Sequence, residues 1–400
     1  MKILVACDLP DTALEQLAAL GAEVVARPHL AARELRDALV GVGILIVQNL
    51  RVAPDAIARA RDLQMIIHAG PGPGEIAVDD ASAAGVFVTH CPEQHAVAVA
   101  ELTLGLILAL DRRIVENAVA SREGRWIRPE VSDARGLAGR TLGVLGWGAV
   151  GRLVAARARA CGLRVLAWPP PGAGEGAEEA GVTFCNWPRE LARGADIVTV
   201  HSFEDEEDRG VLIDEEFLAS LPEGASLVHV GRPGAVDAVA LAEAIPRRRL
   251  RVAVDVFIPE PTTEPASFRV KLAELPGVIC TQHIAPLTEQ ARVAAAAEVV
   301  RIVHDFLVAG EVRNCLNLLE RSPATWQLVL RVRDQVGVMA SILEAVRADG
   351  INAEEIGSRV FAGAKAAWCT ISLDERPSTE ALEAIRALPD VLHLELRAVV

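Results

Sequence analysis

Three residues of the sequence can together bind an anion and move a proton. Arg232 lies between small residues, Glu260 between two prolines, and His283 shortly before another proline, each after an apolar run that we predict to be a strand. An arginine can hold a carboxylate through two parallel hydrogen bonds. A histidine beside a carboxylate is suited to acid–base work, so we take these three as candidate catalytic residues.

Each of the three has a plainer interpretation when it is considered alone. An isolated arginine at such a place is more often a surface residue, and an isolated histidine after a strand is usually structural or solvated. The catalytic interpretation therefore depends on all three occurring together in one chain.

A glycine-rich motif at 146–151, with the sequence GWGAVG, lies between a predicted strand at 141–145 and an Ala-rich helix. Gly146 permits a tight turn, Gly148 lets a diphosphate approach the backbone, and Gly151 lets helix and strand pack closely. Free N–H groups at the helix start then face the negative charge, which predicts a dinucleotide site rather than an ordinary turn. The predicted contacts are Gly146, Gly148, Ala149, Val150 and Gly151.

The next predicted strand, 163–168, lacks one part of this fingerprint. It should end in an acid that hydrogen-bonds the adenosine ribose, but it ends at Trp168 and three prolines follow. No arginine for a 2′-phosphate follows either. We expect NAD as cofactor, with NADP not excluded and Trp168 among the contacts. The acids beyond the prolines that are candidates for the ribose are Glu175, Glu178 and Glu179.

Composition limits the class of protein and its partners. The 400 residues are 51% apolar and 4% aromatic, which is typical of an Ala-rich globular chain of two or three domains. The net charge of −14 argues against a nucleic acid partner. Small molecules and further copies of the chain are the expected partners.

Cysteine usage and hydropathy predict a location. The seven cysteines are odd in number and form no CxxC pair, so neither a disulfide framework nor a metal site is expected, and a reducing cytoplasm fits. The apolar run at the N-terminus is too short for a secretory signal. The stretch 96–110 contains Glu101 and is shorter than a membrane span, so we interpret it as a buried helix and expect no membrane partner.

Short apolar runs alternate with helical patterns through the first 310 residues, which predicts two parallel sheets covered by helices. A long helix from His95 to about Val119 should connect the two. A helical pattern from Glu289 to Ala309 is not followed by another strand of the second sheet, so we expect this helix to pack back against the first sheet. The predicted strands are 3–6, 44–47, 65–67 and 86–88 in the first sheet, and 141–145, 163–168, 197–200, 226–230, 251–254 and 278–280 in the second.

The last part of the chain follows a predicted linker at 319–324. Residues 325–398 have the pattern strand, helix, strand, strand, helix, strand. This order is typical of the ferredoxin-like βαββαβ module.

At its candidate catalytic residues the chain resembles the D-2-hydroxyacid dehydrogenases, in particular the phosphoglycerate dehydrogenases of serine biosynthesis. The family's R-G-x-x-V-D, D-V-F-x-x-E-P and P-H-I stretches carry its catalytic Arg, Glu and His, which fall in the same order on Arg232, Glu260 and His283. The resemblance implies NAD(P)-dependent hydride transfer with a 2-hydroxy or 2-keto acid, in which the histidine accepts the hydroxyl proton.

The resemblance also assigns other residues and the domains. Asp255 would contact the nicotinamide amide, with His201 and Gly231 nearby. The implied substrate-binding residues are Gln48, His68, Ala69 and Gly70. The implied domains are a discontinuous substrate domain at 1–94 and 289–318, a Rossmann domain at 95–288, and an ACT-like regulatory domain at 325–400.

The chain departs from the phosphoglycerate dehydrogenases at several binding positions. Their phosphate-holding arginines are replaced by Gln48 and His68, and Arg51 is the nearby cation that can compensate. Where those enzymes have an H-x-P-L loop over the cofactor, this chain has His201 followed by the acidic stretch 202–208. Two functions therefore stay open, namely a dehydrogenase of changed specificity and a sensor with weak or lost turnover.

The terminal module resembles ACT domains, which bind amino acid effectors across dimer interfaces. The resemblance places tentative effector contacts at Asp334, Gly337 and Asn352, while Val332 and Asp334 depart from the serine-binding pattern. The module either binds an effector or only dimerises, and the expected assembly is a homodimer or homotetramer.

Overall fold

A computed structural model of the protein describes residues 1–128, 133–169, 181–201, 210–261, 267–319 and 321–399. The chain divides into two compact units, Met1–Asn317 and Leu318–Val400. The first unit contains two parallel α/β sheets, as the alternating pattern predicts, and the second contains an antiparallel sheet.

The first sheet has five parallel strands in the order β2-β1-β3-β4-β5. Its central strands are buried on both faces, which explains their continuous apolar runs. The edge strand β2 is partly exposed and has no such run, so the sequence pattern missed it. The strands are β1 (Lys2–Ala6), β2 (Glu23–Ala26), β3 (Ile44–Val47), β4 (Met65–His68) and β5 (Phe87–His90). The intervening helices are α1 (Asp11–Ala19), α2 (Ala32–Ala38), α3 (Pro54–Arg59) and α4 (Val78–Ala83).

A predicted single helix is in fact two. The helix α5 (Ala96–Arg112) ends where Arg113 adopts a left-handed backbone with φ of 48°, and α6 (Ile114–Arg122) follows. An ion pair between Arg113 and Glu116 accompanies this break. The sequence from 95 to 119 contains no glycine or proline at the break that would mark a helix end, which is why it suggested one continuous helix.

The second sheet has seven parallel strands in the order β12-β11-β10-β9-β6-β7-β8. If β6 is counted as strand 1 of this sheet, the order read from β8 is 3-2-1-4-5-6-7. This is the doubly wound 3-2-1-4-5-6 order with one strand, β12, added at the end. The strands are β6 (Thr141–Leu145), β7 (Arg164–Trp168), β8 (Val182–Phe184), β9 (Ile197–Val200), β10 (Ser226–His229), β11 (Arg251–Val254) and β12 (Val278–Cys280). The helices are α7 (Ala149–Ala160), α8 (Pro188–Gly194), α9 (Glu215–Ser220) and α10 (Ala238–Arg248).

The helix α11 (Glu289–Ala309) packs against the first sheet. The Thr288 hydroxyl accepts a hydrogen bond from the Ala291 N–H at the helix start, and Gly310 ends the helix with a φ of 69°. Val299 and Ile302 of this helix share a buried cluster with strand residues of the first sheet. The division of the first unit into a substrate domain and a Rossmann domain stays a prediction.

The second unit is a four-stranded antiparallel sheet in the order β14-β15-β13-β16. Its strands are β13 (Trp326–Arg333), β14 (Ala353–Val360), β15 (Ala366–Leu373) and β16 (Val391–Ala398), and its helices are α12 (Val338–Ala348) and α13 (Thr379–Ala387). Strand β15 lies between β13 and β14, which is the split β-α-β arrangement. The sheet and both helices share one buried apolar cluster.

Among the helices that the structure describes, none is both long and apolar enough to cross a membrane.

A buried ion pair joins the end of α5 to the segment that leads into β6. The Arg140 guanidinium donates to Asp111 over 2.8 Å, and both side chains are at most 9% exposed. Asp111 also accepts from the Gly136 N–H at 3.0 Å. Loss of one partner would leave an uncompensated charge in the interior.

We therefore expect Asp111→Ala to lower the free energy of unfolding by about 3–5 kcal/mol. The matched control is Arg135→Ala, because the Arg135 side chain is 53% exposed and pairs with Asp196 at the surface. An exposed pair contributes at most about 1 kcal/mol, so chemical denaturation should separate the two variants. Equal losses in both variants would contradict the assigned role of the buried pair.

Candidate active site

The candidate residues of the second sheet lie at one edge. Leu145, Val200, His229 and Val254 are aligned across neighbouring parallel strands. The residues that follow them therefore emerge together at the carboxyl edge of the sheet. In doubly wound sheets, ligands bind at this edge.

The glycine motif forms the turn that the sequence predicts. Gly146 has a φ of 101°, and a Cβ there would overlap the His201 carbonyl oxygen. A Cβ at Gly151 would overlap the Gly146 carbonyl oxygen. Gly148 is extended and immediately precedes α7, whose first residues include Ala149 and Val150. The backbone can thus lie close to a diphosphate with helix N–H groups directed at it, so this turn fits a dinucleotide.

Trp168 ends β7 and is half-buried, and its carbonyl accepts a hydrogen bond from the Gly146 N–H at 3.1 Å. Its main chain therefore supports the glycine turn. The ribose candidates Glu175, Glu178 and Glu179, and the acidic stretch 202–208, lie outside the described residues.

Two histidines are buried beneath this edge. His201 is 7% exposed and His229 is 2% exposed. Burial lowers the pKa of His201 to about 3, and the neighbouring His229 adds to the shift. Burial likewise lowers the pKa of His229 to about 4. The His201 carbonyl oxygen thus lies against the glycine turn, whereas the His201 ring is buried. No sequence pattern indicated that the His229 ring would also be buried beneath this edge.

The structure brings Glu260 and His283 together. The distance from His283 Nδ1 to Glu260 Oε2 is 2.8 Å, and Glu260 Oε1 accepts from the Phe257 N–H at 2.9 Å. The His283 side chain is 49% exposed, so its ring is accessible to a ligand. His283 has a φ of 52°, which is uncommon outside glycine and often marks a functional site.

Arg232 and Gly231 follow β10 at the same edge. Arg232 is half-buried, and its Nη2 donates to the Gly210 carbonyl at 2.8 Å. Gly234 lies against the guanidinium, since a Cβ there would be 2.9 Å from Arg232 Nη1. The small residues around Arg232 therefore leave room for its side chain at the end of the strand.

Asp255 immediately follows β11 and is fully buried. Its carboxylate accepts from the Ile284 N–H at 3.0 Å and the Ala285 N–H at 2.9 Å. The Thr281 hydroxyl also donates to it, and sequence reasoning missed that residue. The contact of Asp255 with the nicotinamide amide stays a prediction.

His68, a predicted substrate-binding residue, is enclosed by the loop that follows β4. It ends β4 and is 7% exposed. Its Nδ1 lies 2.9 Å from the Gly72 carbonyl oxygen and its Nε2 lies 3.0 Å from the Gln48 carbonyl oxygen. Gly70 and Gly74 enclose the ring, because a Cβ at either would be within 3.0 Å of it. His68 therefore shapes the loop after β4.

The other predicted substrate residues surround this histidine at the carboxyl edge of the first sheet. Gln48 is half-buried, and its main-chain carbonyl oxygen contacts the His68 ring, while Ala69 and Gly70 are buried. The Ala69 N–H donates to the Val47 carbonyl at 2.7 Å. Arg51 is exposed.

In the second unit, the tentative effector residues lie in two turns. Asp334 is exposed, and its N–H donates to the Lys365 carbonyl at 3.2 Å. Gly337 has a φ of 93° and immediately precedes α12. The Asn352 amide donates to Glu354 at 2.7 Å. Val332 is buried in the core of the unit.

The seven cysteines all lie within the described ranges and are free thiols. Among the residues that the structure describes, no group of three or more His, Cys, Asp or Glu side chains is placed to hold a metal ion.

Comparison with known proteins identifies the class. Residues 104–285 match the family model of the D-isomer specific 2-hydroxyacid dehydrogenase NAD binding domain. The hydroxypyruvate reductase of Thermotoga maritima is 32% identical over 69% of this chain and 88% of its own length. The TT0316 protein of Thermus thermophilus has a TM-score of 0.68 and 31% identity, over 79% of this chain and 100% of that one. The chain therefore belongs to the D-2-hydroxyacid dehydrogenase family.

Within this family, the chain is similar to phosphoglycerate dehydrogenases. The D-3-phosphoglycerate dehydrogenase of Methanocaldococcus jannaschii is 33% identical over 80% of this chain. The match spans 60% of the length of that relative, and 64% of the corresponding Archaeoglobus fulgidus enzyme. The family model describes an NAD-binding domain, so the cofactor is a nicotinamide dinucleotide, NAD(P).

The buried histidines predict how stability changes with pH. The unfolded chain protonates these rings below pH 6.5, whereas folded His229 takes up a proton only near pH 4. Stability is therefore lost as the pH falls through this interval, by about 2 kcal/mol at pH 5 for His229 alone. We expect His229→Asn to reduce the difference in unfolding free energy between pH 7 and pH 5 by this amount, measured by urea denaturation.

The matched control is His29→Asn, because His29 is exposed. This control should keep the pH dependence of the unmodified protein. An unchanged pH dependence in His229→Asn would contradict the assignment of a neutral, buried His229.

Proposed function

We propose that the protein is an NAD(P)-dependent dehydrogenase of D-2-hydroxy acids. In this proposal His283 exchanges the hydroxyl proton, Glu260 orients His283, and Arg232 binds the substrate carboxylate. The observation that carries the proposal is the 2.8 Å hydrogen bond between His283 and Glu260, at the edge that also carries the glycine turn. An acid–base pair beside a nicotinamide site is the arrangement that alcohol oxidation requires.

The hydrogen bond to Glu260 defines which nitrogen of His283 reacts. A carboxylate only accepts hydrogen bonds, so His283 Nδ1 carries the proton that it donates to Glu260. The lone pair is then on Nε2, which accepts the proton of the substrate hydroxyl during oxidation and returns it during reduction. The negative charge of Glu260 stabilises the imidazolium that forms in between.

Arg232 supplies the anion-binding part of the site. Its guanidinium would bind the substrate carboxylate and polarise the oxygen on C2. A nicotinamide dinucleotide bound at the glycine turn would supply the hydride acceptor or donor for C2 of the substrate. Gly146, Gly148 and Gly151 would hold the diphosphate of the same cofactor.

Two residues at the carboxyl edge of the first sheet support a choice of substrate class. Gln48 is uncharged, and both ring nitrogens of His68 already face main-chain carbonyls. Each charge-assisted contact to a phosphate would contribute about 1.5–3 kcal/mol, and these positions supply none as they are arranged. We therefore propose a small 2-hydroxy acid without a phosphate in preference to 3-phosphoglycerate. The alternative of a sensor without turnover has no support among the similar proteins.

For the second unit we propose an ACT-like regulatory role in a homodimer or homotetramer. Its split β-α-β sheet and the turn at Gly337 support this proposal. The effector would be an amino acid held near Asp334, Gly337 and Asn352. A module that only dimerises is the competing interpretation.

The first test is turnover by the full chain with NADH or NADPH and a panel of 2-keto acids that includes hydroxypyruvate and phosphohydroxypyruvate. Loss of cofactor absorbance should be faster with the unphosphorylated acids. His283→Ala should abolish this oxidation, by at least about 100-fold, because the substitution removes the proposed proton carrier. The variant should retain its affinity for NADH in a fluorescence titration, and retained turnover would refute the assignment.

The second test concerns the effector. Titration calorimetry with a panel of amino acids, serine included, should give binding heat for at least one of them. Asn352→Ala should remove that heat, because the amide would hold the amino acid. Absence of heat from every amino acid would favour the dimerising role.

A further inference from the structure

Two histidine rings bracket one residue, Gly72, in the loop that follows β4. The Gly72 N–H donates to His90 Nδ1 at 2.9 Å, and the Gly72 carbonyl oxygen lies 2.9 Å from His68 Nδ1. The other ring nitrogen of His68, Nε2, lies 3.0 Å from the Gln48 carbonyl oxygen. Gly72 is buried and has a φ of 65°, so the bracketed residue adopts a backbone that favours glycine.

The contacts of His68 define its protonation state in this arrangement. A carbonyl oxygen only accepts hydrogen bonds, whereas a neutral imidazole has one donor nitrogen and one acceptor nitrogen. In a neutral His68, one ring nitrogen would therefore direct its lone pair at a carbonyl oxygen. Both contacts are hydrogen bonds only when both nitrogens carry protons, so the arrangement requires the imidazolium. The two carbonyls are also the support that a charged ring of 7% exposure needs.

The contact of His90 requires the opposite state. Its Nδ1 accepts from a main-chain N–H and therefore has a lone pair, so the proton of the neutral ring is on Nε2. A proton on Nδ1 would direct one donor at another and break the hydrogen bond to Gly72. The same loop residue thus holds two histidines that differ by one proton.

A third ring, that of His95 at the start of α5, interacts with His68. Burial lowers the pKa of His95, and the charge of His68 adds to the shift, so His95 is neutral beside it. The charged residues of the surrounding loops, Arg51, Glu75 and Glu93, are exposed, and the effect of exposed charges is screened by salt. The state of the loop therefore depends on the two bracketing rings.

We infer that His68 and His90 are positioning residues that form a two-histidine clasp on the loop at 68–74, closed only while His68 is an imidazolium and His90 is neutral. The inference rests on the proposed function, in which this loop carries the substrate-binding residues Ala69 and Gly70. Gly70 lies against the His68 ring, since a Cβ there would be 2.9 Å from it, so a shift of the ring displaces Gly70 as well.

The clasp makes substrate binding depend on pH in both directions. As the pH rises, His68 loses a proton and one of its nitrogens then repels a carbonyl oxygen. As the pH falls, His90 gains a proton and repels the Gly72 N–H. The KM for a 2-keto acid should therefore pass through a minimum in the pH range in which histidines titrate.

The test is the pH profile of KM for the full chain and two variants, with the 2-keto acid that it reduces best. His90→Asn keeps an acceptor oxygen at the position of Nδ1 that cannot be protonated, so KM should no longer rise at low pH. His68→Asn can donate to Gly72 but not to Gln48. Its KM at the minimum should be about tenfold higher and should no longer rise at high pH.

The matched control for both variants is His29→Asn, because His29 is exposed, and it should keep the profile of the unmodified protein. The Kd for NADH, measured by fluorescence, should stay unchanged in every variant. Titration of His283 is common to all of them and cancels in the comparison. Profiles of His68→Asn and His90→Asn that coincide with that of the unmodified protein would overturn the inference.

A readout that does not need turnover is a pH titration of the imidazole nitrogen NMR signals, assigned by their loss in His68→Asn and His90→Asn. One pH range should show two protonated nitrogens in His68 together with an unprotonated Nδ1 in His90. If no such range exists, the inference is overturned.

If His68→Asn does not fold, the profile of His90→Asn and the titration of the unmodified protein decide. Failure of the unmodified protein to oxidise NADH or NADPH would refute the proposed function, while the NMR titration would still test the clasp.

Discussion

The hydrogen bond between His283 and Glu260 is the interaction on which the proposed chemistry depends. It selects the ring nitrogen that carries a proton and leaves the other one to react. It also joins two loops that are more than 20 residues apart in the chain, so it exists only if β11 and β12 are adjacent and parallel. The site is thus a property of the sheet edge, and each residue alone would be ordinary.

The sheet supports this edge through close backbone approaches. Gly146 lies so near the His201 carbonyl that a side chain would not fit, and the Trp168 carbonyl accepts a hydrogen bond from the Gly146 N–H. Asp255 fixes the neighbouring loop with its buried charge. The glycine turn and the hydrogen-bonded pair of His283 and Glu260 are therefore held by the same parallel strands, which fix their relative positions.

Much of the fold could be predicted because buried parallel strands require continuous apolar runs. The strands around β3, β4 and β6 were found in this way, while the exposed edge strand β2 and the short strand β8 carry no such pattern. The break at Arg113 was missed since it depends on the backbone of one residue and not on periodicity. The candidate catalytic set was identified from residue types in order, together with a family resemblance.

Local patterns in the chain, together with the family resemblance, were enough to predict the strand, turn and helix order at the glycine motif, the family, and the candidate acid, base and anion-binding residues. The roles of Asp255, His68 and His229 became visible only in the folded protein. The family resemblance suggested contacts with ligands for Asp255 and His68, and the structure shows in addition that main-chain donors and acceptors tie both side chains to their loops. Which polar groups surround a side chain depends on residues distant in the chain, and no local pattern contains that information.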